Sequence, residues 1–251
     1  MGASVIVEQF TLQAPSFVRL PGHEEATRLL LDAAGVGAQS VVLDVACGPG
    51  MVACAAAQRA KRVVGIDLTP AMLEQARALQ EKRGLANVEW RLGEAARLPL
   101  EDASFDAVLT RYSAHHLADP DLMLAEMLRV ARPGARLAIA DMVLPGDQGA
   151  AYDRMERLRD PSHVRTLTPE QLQRSAIAAG LRELRCAGYS FSVSLDTLMR
   201  ASFPAPGDAE RVRALFEADV GVDRMGLALE RVDGIVHLTY PVSIVSGTKA
   251  A

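Results

Sequence analysis

The sequence predicts an α/β fold, a parallel sheet with helices on both faces. Three observations predict it. Short apolar runs of strand length alternate with helix-length segments at the spacing of βαβ units. A glycine-bearing turn, Asp44-Val45-Ala46-Cys47-Gly48-Pro49-Gly50, joins the first such strand to the first such helix. The rhythm then changes after Pro145, where helical segments predominate.

The elements follow in order. From His23 to Ala34, Ala26, Leu29, Leu30 and Ala33 fall at helical spacing before Gly35 ends the run. Val41 to Ala46 is a buried strand, followed by a helix from near Gly50 to Ala60. Val63 to Ile66 is the second strand, and Thr69-Pro70 opens the next helix, with Thr at the N-cap and Pro at the first position. Val88 to Leu92 and Ala107 to Thr110 are strands three and four. Leu122 to Ala131 is helical until Pro133-Gly134, and Arg136 to Val143 is strand five. Beyond it, Tyr152 to Arg159 reads as an exposed helix, and Thr168-Pro169-Glu170-Gln171 as a capping box opening a helix that closes at Gly180. Leu184 to Val193 is a strand. Pro204 to Gly207 is a turn before a helix with Val212, Leu215 and Phe216 on its apolar face, and Ile235 to Val245 is the last strand.

Bulk properties narrow the function. A chain of 251 residues can bury a substantial core, and 49% hydrophobic with 23% charged residues is the balance of a folded globular protein. Net charge is −4 with no basic run, so a nucleic-acid partner is not expected. Lys61, Lys82 and Lys249 are the only lysines, an arginine bias that suggests a GC-rich, bacterial genome. Cys47, Cys54 and Cys186 lack disulfide-framework or zinc spacing. The stretch from Met1 to Phe10 has no secretory pattern, and no apolar run would span a bilayer, so the expected compartment is the cytoplasm without membrane partners.

Ligands of parallel sheets bind at the carboxyl ends of the strands. Gly48-x-Gly50-x-x-Ala53, with Asp67 further on, also fits a nicotinamide fingerprint. Three features favour S-adenosylmethionine (SAM) instead. Asp44 inside the turn would repel a pyrophosphate and attract a cationic amino group. Gly93-Glu94-Ala95 follows strand three, where a polar side chain meets an adenine edge. Ser104-Phe105-Asp106-Ala107-Val108 leads into strand four.

With these residues in place, the chain resembles the class I SAM-dependent methyltransferases of the type 11 group, which includes the ubiquinone and menaquinone C-methyltransferases. It is similar to a bacterial branch carrying two signatures, here Arg111-Tyr112-Ser113-Ala114-His115-His116 and Arg159-Asp160-Pro161-Ser162-His163-Val164-Arg165. The resemblance implies a Rossmann-like, doubly wound sheet of seven strands, the last antiparallel, with a helical cap. It implies one domain over 1–251, with an N-terminal helical segment over 1–37 and a SAM-binding core over 38–145. Residues 146–251 would complete the sheet and cap the acceptor side. Residue by residue, it places Asp44, Gly48 and Gly50 at the methionine portion and Asp67 at the ribose. Leu68 and Met72 would lie against the adenine, Glu94 and Ala95 at its edge, and Arg111 beneath the sulfonium. Many relatives have Asp where this chain has Glu94.

Methyl transfer needs a general base only when the acceptor must lose a proton. His115 and His116 are the catalytic candidates, following strand four at the cofactor end of the sheet. Tyr112, His163 and Arg165 are candidate acceptor contacts, whereas His23 and His237 read as structural. No N-P-P-Y loop of nucleic-acid methyltransferases follows strand four, and no acidic pair beside Asp141 completes a magnesium site, so no metal is expected. The expected partner is a small-molecule acceptor, with S-adenosylhomocysteine as co-product; neither the acceptor nor the oligomeric state is legible. A SAM-binding protein without transfer, a cyclase-like catalyst or a regulatory binder, would present the same cofactor residues.

Overall fold

A computed structural model describes residues 3–17 and 23–250. Two N-terminal helices, α1 (Ala3–Phe17) and α2 (His23–Ala33), precede an alternating stretch. It runs β1 (Val41–Val45), α3 (Met51–Ala57), β2 (Arg62–Asp67), α4 (Pro70–Lys82), β3 (Val88–Leu92), β4 (Phe105–Arg111), α5 (Pro120–Val130) and β5 (Ala131–Met142). A single 3-10 turn, Ala114–His116, follows β4. The remainder is α6 (Gly146–Arg159), α7 (Pro169–Ala179), β6 (Leu181–Ser194), α8 (Leu195–Arg200), α9 (Asp208–Glu217), β7 (Glu230–Val232) and β8 (Ile235–Lys249).

The strands form one sheet in the order β3-β2-β1-β4-β5-β8-β6. The pairs among β1 to β5 are parallel, and β8 is antiparallel to both β5 and β6. This is the doubly wound sheet with an antiparallel last strand. A short eighth strand not foreseen in the sequence, β7, forms a hairpin with β8 outside that path.

Alternation along each central strand supplies both faces with apolar side chains. Val42 of β1, with Ala107 and Leu109 of β4, packs against Leu30 and Leu31 of α2 and Ala53 and Ala56 of α3. Leu43 and Val45, with Val108, face the other way onto Met123, Leu124 and Met127 of α5. A third core joins Tyr152 and Met155 of α6 to Leu198 of α8, Val212 and Phe216 of α9, and Leu238 and Tyr240 of β8.

Several local readings need correction. The helix expected over Leu122 to Ala131 runs Pro120–Val130, but β5 begins at once at Ala131, ahead of the expected Arg136. Thr69 is the N-cap of α4, but its side chain makes no capping bond; its N–H goes to Asp67 instead. α6 is not exposed: Tyr152, Asp153, Met155 and Glu156 are all buried. Its polar members are buried because they are paired, Asp153 with His163 and Glu156 with Arg159. Leu215 is 43% exposed, so the buried face of α9 rests on Val212 and Phe216. The capping box of α7 forms as expected and Gly180 closes that helix in the left-handed conformation. The side chain of His23 lies outside the described residues, and His237 sits within β8 opposite Ser194.

Candidate active site: two cavities at the carboxyl edge of the sheet

A cavity of about 280 Å3 opens at the carboxyl ends of β1, β2 and β4. Asp44 and Asp67 lie at its floor, 1% and 8% exposed. Each oxygen of Asp67 accepts one backbone N–H, from Gly48 and from Thr69, both at 2.8 Å. These bonds tie the glycine turn to the start of α4. Burial nevertheless raises the pKa of Asp67. The same desolvation pushes Asp44 up to about 7, against the pull of Arg111, and its Oδ2 has no hydrogen-bond partner. An orphaned buried carboxylate oxygen beside a cavity is a vacant acceptor for a cation.

The loop geometry serves the same cavity. Ala46 and Tyr112, at the carboxyl ends of β1 and β4, both hold φ near +55°, at 54° and 56°. Such backbone is costly for residues other than glycine and collects at functional sites. Gly48 has φ +52, and a Cβ there would meet nothing within 4 Å, so its backbone borders open space that a ligand can approach closely. Gly50 differs. It does not line the cavity; a Cβ there would fall 2.5 Å from Cη2 of Trp90 and 2.9 Å from Cβ of Ala76. Gly50 therefore packs the turn against α4 and β3.

Leu68, Met72, Glu94 and Ala95 line the cavity on its α4 and β3 side, with Arg111 on the β4 side. Glu94 is exposed at the rim. The Arg111 guanidinium donates to Thr27 Oγ1 at 2.9 Å and lies 5.2 Å from the Tyr112 ring.

A second cavity, of about 130 Å3, adjoins the first; Phe10, Tyr112 and His116 line both. Its walls are aromatic, with Phe191 and Tyr240 stacked at 5.2 Å between ring centres. His115 lines it and pairs through Nδ1 with Oδ1 of Asp141 at 2.6 Å. Asp141 also accepts the N–H groups of Ala114, at 2.7 Å, and Met142, at 2.8 Å. Burial alone would lower the His115 pKa, but Asp141 outweighs it and the net direction is upward. His116 goes the other way: burial and the neighbouring His115 depress it to about 3. Its Nδ1 donates to the Ser162 carbonyl at 3.2 Å, while Ser162 Oγ bonds Asp160 at 2.5 Å.

The second signature divides in the structure. Arg159 and Asp160 line the second cavity, with Glu156. His163 does not; it is 1% exposed and its Nε2 lies 2.7 Å from Asp153, which fixes the loop to α6. Arg165 lines neither cavity: its backbone N–H donates to the His115 carbonyl at 3.2 Å, but its side chain is exposed. Asp141, Glu156, Phe191 and Tyr240 were not foreseen as site residues, being scattered over β5, α6, β6 and β8. Among the described residues, no three His, Cys, Asp or Glu side chains are grouped to hold a metal ion.

Residues 43–139, which carry β1 to β5 and most of the first cavity, match the family model of the methyltransferase domain. They form a SAM-dependent methyltransferase domain. The chain is 28% identical over 225 residues to the uncharacterized methyltransferase YcgJ of Bacillus subtilis, covering 88% of this chain and 89% of that one. The crystal structure of YcgJ superposes with a TM-score of 0.82 at 24% identity, over 90% of this chain and 99% of that one, and shows the same fold. The demethylmenaquinone methyltransferase of Renibacterium salmoninarum is 36% identical over 118 residues. That match covers 47% of this chain and 48% of the relative, so the chain spans about half of it. The methyltransferase cofactor fits the first cavity on structural grounds. Its cationic end answers the unpartnered oxygen of Asp44, whereas a pyrophosphate would meet two buried carboxylates.

Proposed function

We propose that this chain transfers the methyl group of SAM to a small-molecule acceptor held in the second cavity. The observation that carries the reading is the junction. The two cavities share Phe10, Tyr112 and His116, so a methyl donor in one and an acceptor in the other meet there.

In this reading Asp67 accepts from the ribose hydroxyls with the lone pairs its two backbone bonds leave available. Asp44 and the backbone at Gly48 hold the methionine end, with Arg111 close by. Leu68 and Met72 cover the adenine, and Glu94 with Ala95 lies at its edge. When bound, the cofactor supplies a methyl group already activated on a cationic sulfur. The chain's own residues orient the acceptor and exclude water around it. The segment beyond residue 145 acts as the acceptor cap, since α6, β6, α8 and β8 supply most walls of the second cavity.

Incubation with methyl-labelled SAM and a metabolite extract tests the reading. Acceptor-dependent S-adenosylhomocysteine, with one metabolite gaining a labelled methyl, is expected. SAM binding without any co-product would mean a cyclase-like or regulatory role.

A further inference from the structure

The second cavity carries more information than the presence of an acceptor. Its volume of about 130 Å3 is that of a single ring, since an apolar cavity of about 150 Å3 holds benzene. Its walls suit a ring: Phe191 stacks on Tyr240, and Tyr112 lies 6.2 Å from Phe191. Two polar wall groups differ in chemistry. Beside the junction residue His116, at 4.2 Å between ring centres, His115 has Nδ1 committed to Asp141, while Nε2 makes no hydrogen bond within the described residues and is not sealed from the cavity. An imidazole whose Nδ1–H is held by a carboxylate presents Nε2 as a proton acceptor. On the α6 wall, Arg159 uses three of its five N–H groups on Glu156 and Ser202, leaving two. Because Glu156 already balances its charge, Arg159 suits a neutral acceptor atom rather than a free anion.

We propose that the acceptor is a one-ring phenol with a hydrogen-bond-accepting ring substituent, and that His115 takes the phenolic proton. The assignment rests on the methyltransferase reading above. The phenol oxygen loses its proton to His115 Nε2. Its electron pair forms the new O–CH3 bond while the S–CH3 bond breaks, the bonding pair staying on sulfur to give S-adenosylhomocysteine. Asp141 stabilises the imidazolium until its proton passes to solvent. The other ionisable wall groups do not compete. Burial pushes the hydroxyls of Tyr112, Tyr152 and Tyr240 upward, and His116 is pushed down. Asp160, despite burial, is held down by Arg159 and by the bonds from Ser162 and Gln13.

The probe is 4-nitrophenol, whose ionisation is visible in its absorbance, added to the full chain saturated with S-adenosylhomocysteine. The bound probe should ionise at lower pH than the free one, and nitrobenzene, lacking the hydroxyl, should bind about tenfold more weakly. His115→Gln should abolish the ionisation shift, and Asp141→Asn, which keeps its side-chain outline, should reduce it in an independent background. With methyl-labelled SAM, label should appear in 4-nitroanisole and not in product from 4-nitroaniline. Equal binding of nitrobenzene, a shift that survives both substitutions, or label going to the aniline would overturn the assignment. Calorimetric titration with SAM runs alongside. Absence of SAM binding would defeat the methyltransferase reading itself, whereas binding without these phenol effects defeats only the choice of acceptor.

Discussion

Oδ1 of Asp141, near the end of β5, lies 2.6 Å from Nδ1 of His115, in the turn that follows β4. The two strands are parallel neighbours, so the sheet register itself brings the carboxylate beneath the imidazole. The groups facing His115 are Asp141, Glu156 and Asp160, with the rings of His116 and His163 at 4.2 and 5.7 Å. Burial opposes the charged imidazole and the three carboxylates favour it; the carboxylates prevail.

That upward shift has opposite signs for activity and stability. A base must be neutral, so kcat should fall as pH drops, along a limb above the ordinary imidazole value of about 6.5. A raised folded pKa stabilises fully below the unfolded value and is lost as pH rises through the folded one. Relative to His115→Gln, the wild type should therefore lose thermal stability over the same interval in which it gains turnover. A kcat limb below the ordinary imidazole value, or stability that rises with it, would remove His115 as the base.

Asp67 should be sensitive in two ways. Its carboxylate both ties Gly48 to Thr69 and, in the proposed site, accepts from the ribose. A hydrogen bond to a charged group contributes about 1.5–3 kcal/mol. Asp67→Asn should thus weaken SAM binding about tenfold to a hundredfold and also lower the melting temperature without cofactor. Unchanged affinity by calorimetry would take Asp67 out of the site.

Gly65 tests the packing under the glycine turn. A Cβ at this β2 position would lie 2.4 Å from Cζ3 of Trp90, and 3.0 Å from Sγ of Cys47. The indole is anchored by a 2.6 Å bond from Nε1 to Gln80, so it cannot swing away freely. Gly65→Ala should cost about 1–3 kcal/mol, as overpacking does. Trp90 is the only tryptophan, so its emission should shift in the same variant. Denaturant unfolding with an unchanged midpoint would show that this region yields.

Four of the five parallel strands were legible as short apolar runs with buried stretches, whereas β3 (Val-Glu-Trp-Arg-Leu) is only partly buried and was legible from its spacing after the α4 helix. Their ends moved by at most a few residues, except β5, which starts at Ala131 instead of Arg136. Asp44, Gly48 and Asp67 were legible because they crowd the first two strand ends. The second cavity was not, because its walls come from elements more than a hundred residues apart, from Phe10 to Tyr240. Hydropathy also misjudged α6: Asp153 and Glu156 look solvated until His163 and Arg159 are seen to pair with them. His163 and Arg165 were singled out by the density of polar residues around them in sequence, which does not report which side chains reach a cavity.

That difference gives the last prediction, which moves acceptor recognition from the Arg165 loop to the cavity wall. The Arg165 side chain is exposed and lines neither cavity, so Arg165→Ala should leave acceptor KM, kcat and SAM affinity unchanged. Phe191 lies in the wall, stacked on Tyr240 at an interplanar angle of 30°. Phe191→Leu keeps that wall apolar but removes an aromatic pairing of about 0.5–1.5 kcal/mol, a twofold to tenfold effect. It should raise acceptor KM by that factor with SAM affinity intact, as expected when ground-state binding is lost. Phe10 is the control at the junction: lining both cavities, it should affect SAM and acceptor together when changed to Ala. Steady-state kinetics in which Arg165→Ala raises KM while Phe191→Leu does not would place the acceptor outside the second cavity.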